Sequence, residues 1–156
     1  MTIRLTHESR SAVSRARFFL EKAKACPVGA RVDFEAFLEA AIVFARAAVH
    51  RLKSQHEGHA QWKAWWDGLR DDPAVEFFRT ERDWILKEAP PKLGQKIFAA
   101  SVGRAAPSYS PARAAELYYF DDPGVPATAT VERHLNDLEK RLAEGERRFG
   151  GERSGR

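Results

Sequence analysis

The sequence predicts an all-α fold in the main: an up-and-down antiparallel bundle of about five helices, with a small β-hairpin inserted before the last helix. Three observations predict it. Long stretches repeat apolar residues at three- and four-residue spacing, the period of one helix face. Proline-bearing breaks such as "CPVGA" and "KEAPP" separate these stretches. The links between them are short, which favours antiparallel neighbours. At 156 residues the chain reads as one domain over residues 1–150, followed by a flexible basic tail at 151–156.

The first helix is expected over about residues 8–25, where Ala12, Val13, Ala16, Phe19, Leu20 and Ala23 share one face. The second is expected over about 33–54. Asp33 is its candidate N-cap, and Phe34, Phe37, Leu38, Ala41, Ile42, Ala45, Ala48, Val49 and Leu52 form a wide apolar stripe. Its many alanines suit close approach of another helix. A third, about 59–70, carries Trp62, Trp65, Trp66 and Leu69 at core spacing. An exposed platform for stacking bases is the sharper reading of those rings; the inner face of an amphipathic helix is the simpler one.

The fourth helix opens on Asp72 as cap and Pro73 at the first helical position. It runs to about Glu88 and stops before Pro90 and Pro91. Residues 91–126 change character. "QKIFAASV" and "AELYYF" read as short strands, with "GRAAPSYSPARA" as the loop between them and a hairpin as the result. The last helix is expected over about 128–149, capped by Thr128 or Thr130. Val131, Leu135, Leu138, Leu142 and Phe149 repeat along it, with Gly145 in the vacant place. This seam covers under three heptads, so packing on the bundle is the default and a dimer seam the alternative.

Composition bounds the function. A hydrophobic fraction of 44% and 17 aromatic residues suit a globular core. A single cysteine, Cys26, excludes an intramolecular disulfide and a zinc ribbon, and fits a reducing compartment. No apolar leader is visible, and the longest apolar stretch, "FLEAAIVFARAAV", is interrupted by Glu39 and Arg46. A cytoplasmic protein with no membrane association is the expectation. The net charge of +4 arises from 26 basic and 22 acidic residues, well mixed. That permits contact with nucleic acid without demanding it.

The candidate chemistry lies in "ERDWILKEAP", residues 81–90. Asp83 and Lys87 stand four apart, acid first, the favourable order for a helical ion pair. In the plain reading that pair is all there is. "HEGH" supplies His56, Glu57 and His59, but not in the order H-E-x-x-H that a helical zinc site needs. His50 reads as a packed or boundary histidine and His134 as exposed. No phosphate-cradling glycine loop, Walker motif or nucleophile elbow is present, and no cofactor is expected.

The order of segments resembles the HEPN superfamily of helical-bundle proteins. An alanine- and phenylalanine-rich second helix, "DFEAFLEAAIVFARAAVHRL", precedes the tryptophan-bearing "WKAWWDGLRDDPAVEFFRTERDWILKEAPP". "LYYFDDPG" then leads into "TVERHLNDLEKRL". The resemblance covers roughly residues 10–148 in layout. The family's motif is arginine, a polar residue, three residues of any kind, then histidine. Arg82 matches the arginine, Asp83 the polar position, and Lys87 stands where histidine should be. Active members are metal-independent ribonucleases, so the resemblance implies phosphate chemistry at this helix. An ordinary lysine titrates near 10.4 and is a poor base beside an aspartate. The departure therefore implies a family member that has lost cleavage: a dimeric binding or interaction module for nucleotide, RNA or protein. Arg79, Arg82 and Lys87 are the candidate phosphate contacts, and Arg82, Asp83 and Lys87 the candidate catalytic group. The alternative is a toxin-type ribonuclease with an altered site that uses Arg82 and Lys87 or borrows His50. The resemblance also implies a homodimer.

Overall fold

The computed structural model describes residues 3–27, 29–94, 97–100, 108–111, 117–119 and 121–150. Its helices are α1 (Ile3–Lys24), α2 (Arg31–His56), α3 (Trp62–Leu69), α4 (Pro73–Lys87) and α5 (Ala127–Phe149). Strands β1 (Leu93–Gly94), β2 (Ile97–Ala100), β3 (Ser108–Pro111) and β4 (Tyr118–Tyr119) lie between α4 and α5. The predicted helical bundle with a β insertion before the last helix is borne out. The predicted tail at 151–156 lies outside the described residues.

α1 and α2 form the tightest pair. Small residues face each other along it, and buried Ala12, Ala16 and Ala23 meet the alanine-rich face of α2. Alanine side chains let helix axes come close, which brings backbone and side-chain polar groups into reach. Ser9 Oγ donates to the Ala48 carbonyl at 3.3 Å across this interface. Phe34, Leu38, Ile42, Val49 and Leu52 then carry the core toward α4 and α5.

α5 lays its whole apolar stripe on the bundle. Val131, Leu135, Leu138, Leu142 and Phe149 are all buried within one chain, so they do not form a dimer seam. The vacant place at Gly145 has a cause. A Cβ there would stand 2.6 Å from the Trp65 ring and 3.0 Å from Leu52. Trp65 fills the space that a side chain would have used.

Among the described residues, three ion pairs join α1 to α5. Arg10 meets Glu146 at 3.1 Å, Arg17 meets Glu139, and Lys24 meets Glu132 at 2.8 Å. The cations recur every seven residues on α1, and the acids every seven residues on α5 in the opposite direction. That spacing keeps one face of each helix in register along an antiparallel seam. Arg17 also donates to Asn136 Oδ1 at 2.9 Å.

Element ends depart from expectation in instructive ways. α1 begins at Ile3, ahead of the predicted start. α2 begins at Arg31 with Ala30 in the cap position and no side-chain cap, so Asp33 lies in the first turn, where a negative charge suits the helix dipole. α3 is shorter than predicted because residues 57–61 turn: the His59 N–H donates to the His56 carbonyl, and the Trp62 N–H to that of His59. α4 starts as predicted. Asp72 accepts from the Ala74 N–H at 3.0 Å and Pro73 follows it. α5 is preceded by Pro126, and Thr128 and Thr130 are buried inside its first turn rather than capping it.

The hairpin is paired differently from the prediction. β2 pairs antiparallel with β3, Ile97 opposite Pro111 and Ala100 opposite Ser108, so the second strand arises within the expected loop. Tyr118–Tyr119 pairs instead with Leu93–Gly94. Aromatic β propensity marked β4 as a strand, but its partner is the short β1, which carries no such signal. Gly94 lies opposite Tyr118, and its missing side chain leaves room for that ring, 2.7 Å from where a Cβ would be. Among the described residues, no helix is long and apolar enough to cross a membrane.

Candidate functional site

The cap at Asp72 fixes where α4 starts and hence which face its polar residues take. Its buried face carries Ala74, Val75 and Phe78. Arg79 and Arg82 rise along the flank that faces α2. There α2 presents Arg46, His50 and Lys53, three, four and seven residues apart and so on one side of a helix.

The two rows form a cationic cluster. Partial burial lowers the pKa of Arg46, and Arg79 and then Arg82 lower it further, while Asp83 acts the other way. Burial also lowers the pKa of His50, with Arg46, Arg82 and Lys53 adding to the effect against Asp83. A histidine so placed is neutral at pH 7 and can accept a proton. Asp83 is, among the described residues, the carboxylate that acts on both groups. Its Oδ1 accepts from Arg82 Nη1 at 2.9 Å, and that bond, ahead of the fields of Lys87 and Arg46, holds its pKa down. Arg79 is steadied by Glu76 at 3.6 Å.

The expected Asp83–Lys87 pair therefore gives way to a pair between neighbours, Arg82 and Asp83. Lys87 is exposed in the last turn of α4 and reaches Asp83 only through its longer-range field. The structure thus brings Arg79, Arg82 and Asp83 together and leaves Lys87 at the margin. It adds Arg46, which in the sequence was visible only as a break in an apolar stretch. Its signal was the spacing of Arg46, His50 and Lys53, a basic row beside the apolar stripe.

Other candidates resolve into packing. His56 lies against Trp62 and Phe149, and His59 packs edge-on against Phe149 at 4.9 Å while its Nδ1 accepts from the Gln61 N–H. Among the described residues no three histidine, cysteine or acidic side chains gather to hold a metal ion. Trp62 is buried, and Trp65 and Trp66 pack on the core, so the tryptophans line the interior of the bundle and not a stacking platform. His134 is half-buried and stacked on Phe77 at 4.2 Å, where an exposed side chain was expected. A groove between α3 and α5 carries Arg141 and Arg148 beside Trp65, but Asp72 and Glu144 already neutralise those arginines.

A second polar group sits where α4 meets β4. Tyr119 is buried, and its pKa is pushed well up by burial, then by Glu81 and Asp121. Burial also raises Glu81, with Asp121 adding and Lys92 opposing. Lys92 itself lies 3.7 Å over the Trp84 ring, a cation–π contact.

No family model, curated protein or solved structure matches this chain.

Proposed function

We propose that the protein is a non-catalytic, HEPN-like dimeric binding module that takes the phosphates of a polyanion such as RNA at the α2–α4 flank. The observation that carries this reading is the convergence of Arg46, His50, Arg79 and Arg82 around one carboxylate, Asp83. Like charges gathered at a partly desolvated surface repel one another, and an anion relieves that repulsion. Arg79 and Arg82 make the phosphate contacts, Lys87 extends them along α4, and Arg46 supports them from beneath. Such contacts position a backbone without reading its sequence.

The test is labelled RNA in EDTA, followed for retention and for cleavage. The expected result is retention without cleavage, lost in Arg82→Ala. If three side chains each neutralise one phosphate, log K falls with log salt with a slope of about −2. Binding indifferent to salt, or unchanged in Arg82→Ala, overturns the reading.

A second reading is supported by one observation, the neutral His50 beside Arg82. A neutral imidazole near a guanidinium is the pairing a metal-independent ribonuclease uses to move a proton near a scissile phosphate. Cleavage in EDTA that disappears in His50→Ala would make the protein a ribonuclease with a displaced base.

A further inference from the structure

α2 has a second apolar face. Ala41, Ala45 and Ala48 point into the bundle, but Ala36, Ala40, Val43 and Ala47 lie on the opposite side, Ala36 exposed and the other three partly buried, with Ala47 also touching the edge of the core. They follow a four-three-four spacing, that of the seam positions of paired helices. Val32, at the same end, is 79% exposed.

Two rows flank this stripe. On one side are Glu39 and Arg46, seven residues apart; on the other are Phe37 and Phe44, also seven apart and both stacked on Phe19 of α1. Both rows are half-buried. Among the described residues no cation stands in ion-pair range of Glu39, and no carboxylate in ion-pair range of Arg46. Burial raises the pKa of Glu39 and lowers that of Arg46, the cost that each bears without a partner.

We propose that this face of α2 is the seam of a two-fold dimer, in which α2 packs antiparallel on α2 of a second copy, with Glu39 beside the partner's Arg46. In an antiparallel pair each flanking row meets its own copy. Setting Ala40 against the partner's Val43, and Ala36 against the partner's Ala47, puts Glu39 next to the partner's Arg46. The same register sets Asp33 against the partner's His50 at the ends. A two-fold axis makes every such contact twice. Layers of alanine and valine allow the axes to approach to about 8 Å, the close end of the usual range. The surface is thus complementary to itself in size and charge, which points to a second copy of this chain as its occupant. This assignment rests on the dimeric part of the reading above and not on its polyanion. The seam uses Arg46 and His50 and leaves Arg79, Arg82 and Lys87 beside it, one set on each copy.

The experiment is sedimentation velocity of the full chain over a range of concentrations, without nucleic acid, so that its failure is separate from any failure to bind RNA. The expected result is a species of twice the 17.6 kDa chain mass. Ala40→Glu places a charge in the seam, and is expected to raise the dimer dissociation constant about tenfold or more with helical content unchanged. Glu39→Arg and Arg46→Glu should each weaken the dimer, and the double swap should restore it. Glu39→Arg, at the edge, tests the seam even if Ala40→Glu does not fold. A monomer at every concentration, a dimer indifferent to Ala40→Glu and Glu39→Arg, or a double swap that fails to restore association each overturns the proposal.

Discussion

Gly145 shows how much one absent side chain can settle. In an exposed helix a glycine costs about 1 kcal/mol relative to alanine, so its place in α5 needs a return. The return is Trp65, whose ring edge occupies the space where a Cβ would stand. Gly145→Leu is therefore expected to destabilise the fold by about 2 kcal/mol through overpacking, read as a lower urea midpoint. From the sequence, Gly145 was visible as a gap in a repeat, but the residue that fills it was not. Trp65 lies on another helix, and no spacing rule links the two. His134 was misread for a similar reason. Its neighbours in sequence are polar, while its neighbour in space is Phe77. Burial, then Arg133, lowers its pKa below the ordinary 6.5, with Asp137 and Asp72 opposing. The unfolded chain then holds more protons than the folded one as pH falls through 6.5, so stability is full above that value and declines below it. His50 acts in the same direction. His134→Gln should remove part of the decline, measured as the difference in urea midpoint between mutant and parent on either side of pH 6.5.

Among the elements, α4 was the most legible and the β insertion the least. Asp72 and Pro73 are local signals, and the cap they form depends on no distant residue. Asp72 does more than cap, since its second oxygen accepts from Arg141 on α5 at 2.9 Å. Asp72→Ala should cost about 1–2 kcal/mol through the lost cap. Arg141→Ala should cost less, because that side chain is half-exposed and solvent screens the pair. Comparing the two variants by urea denaturation separates the cap from the ion pair. The strands were placed in part but paired wrongly. Strand propensity records which residues suit a pleated surface, whereas pairing depends on how the chain returns. Leu93–Gly94 is too short to announce itself, yet it receives Tyr118–Tyr119.

At the scale of the molecule, the order and number of helices followed from apolar period and breaks, because burial of one face drives each helix into the bundle. The candidate site was half legible. Arg79, Arg82 and Asp83 lie in one segment and were found together. Arg46 and His50 come from the second helix, well upstream in the chain, and only the packing of α2 on α4 joins them. The α1–α5 ion pairs were not foreseen, since they link the two ends of the chain. Their even spacing carries a hidden ambiguity. If α5 slid by one heptad, about 10 Å, Arg10 would find Glu139 and Arg17 would find Glu132, so two of the three rungs would survive. Electrostatics alone would tolerate the wrong alignment. The same slide would carry Leu138 to the place of Gly145, against the Trp65 ring, where even a Cβ has no room. The repeating charges draw the helices together, and the one irregular residue tells them where to stop.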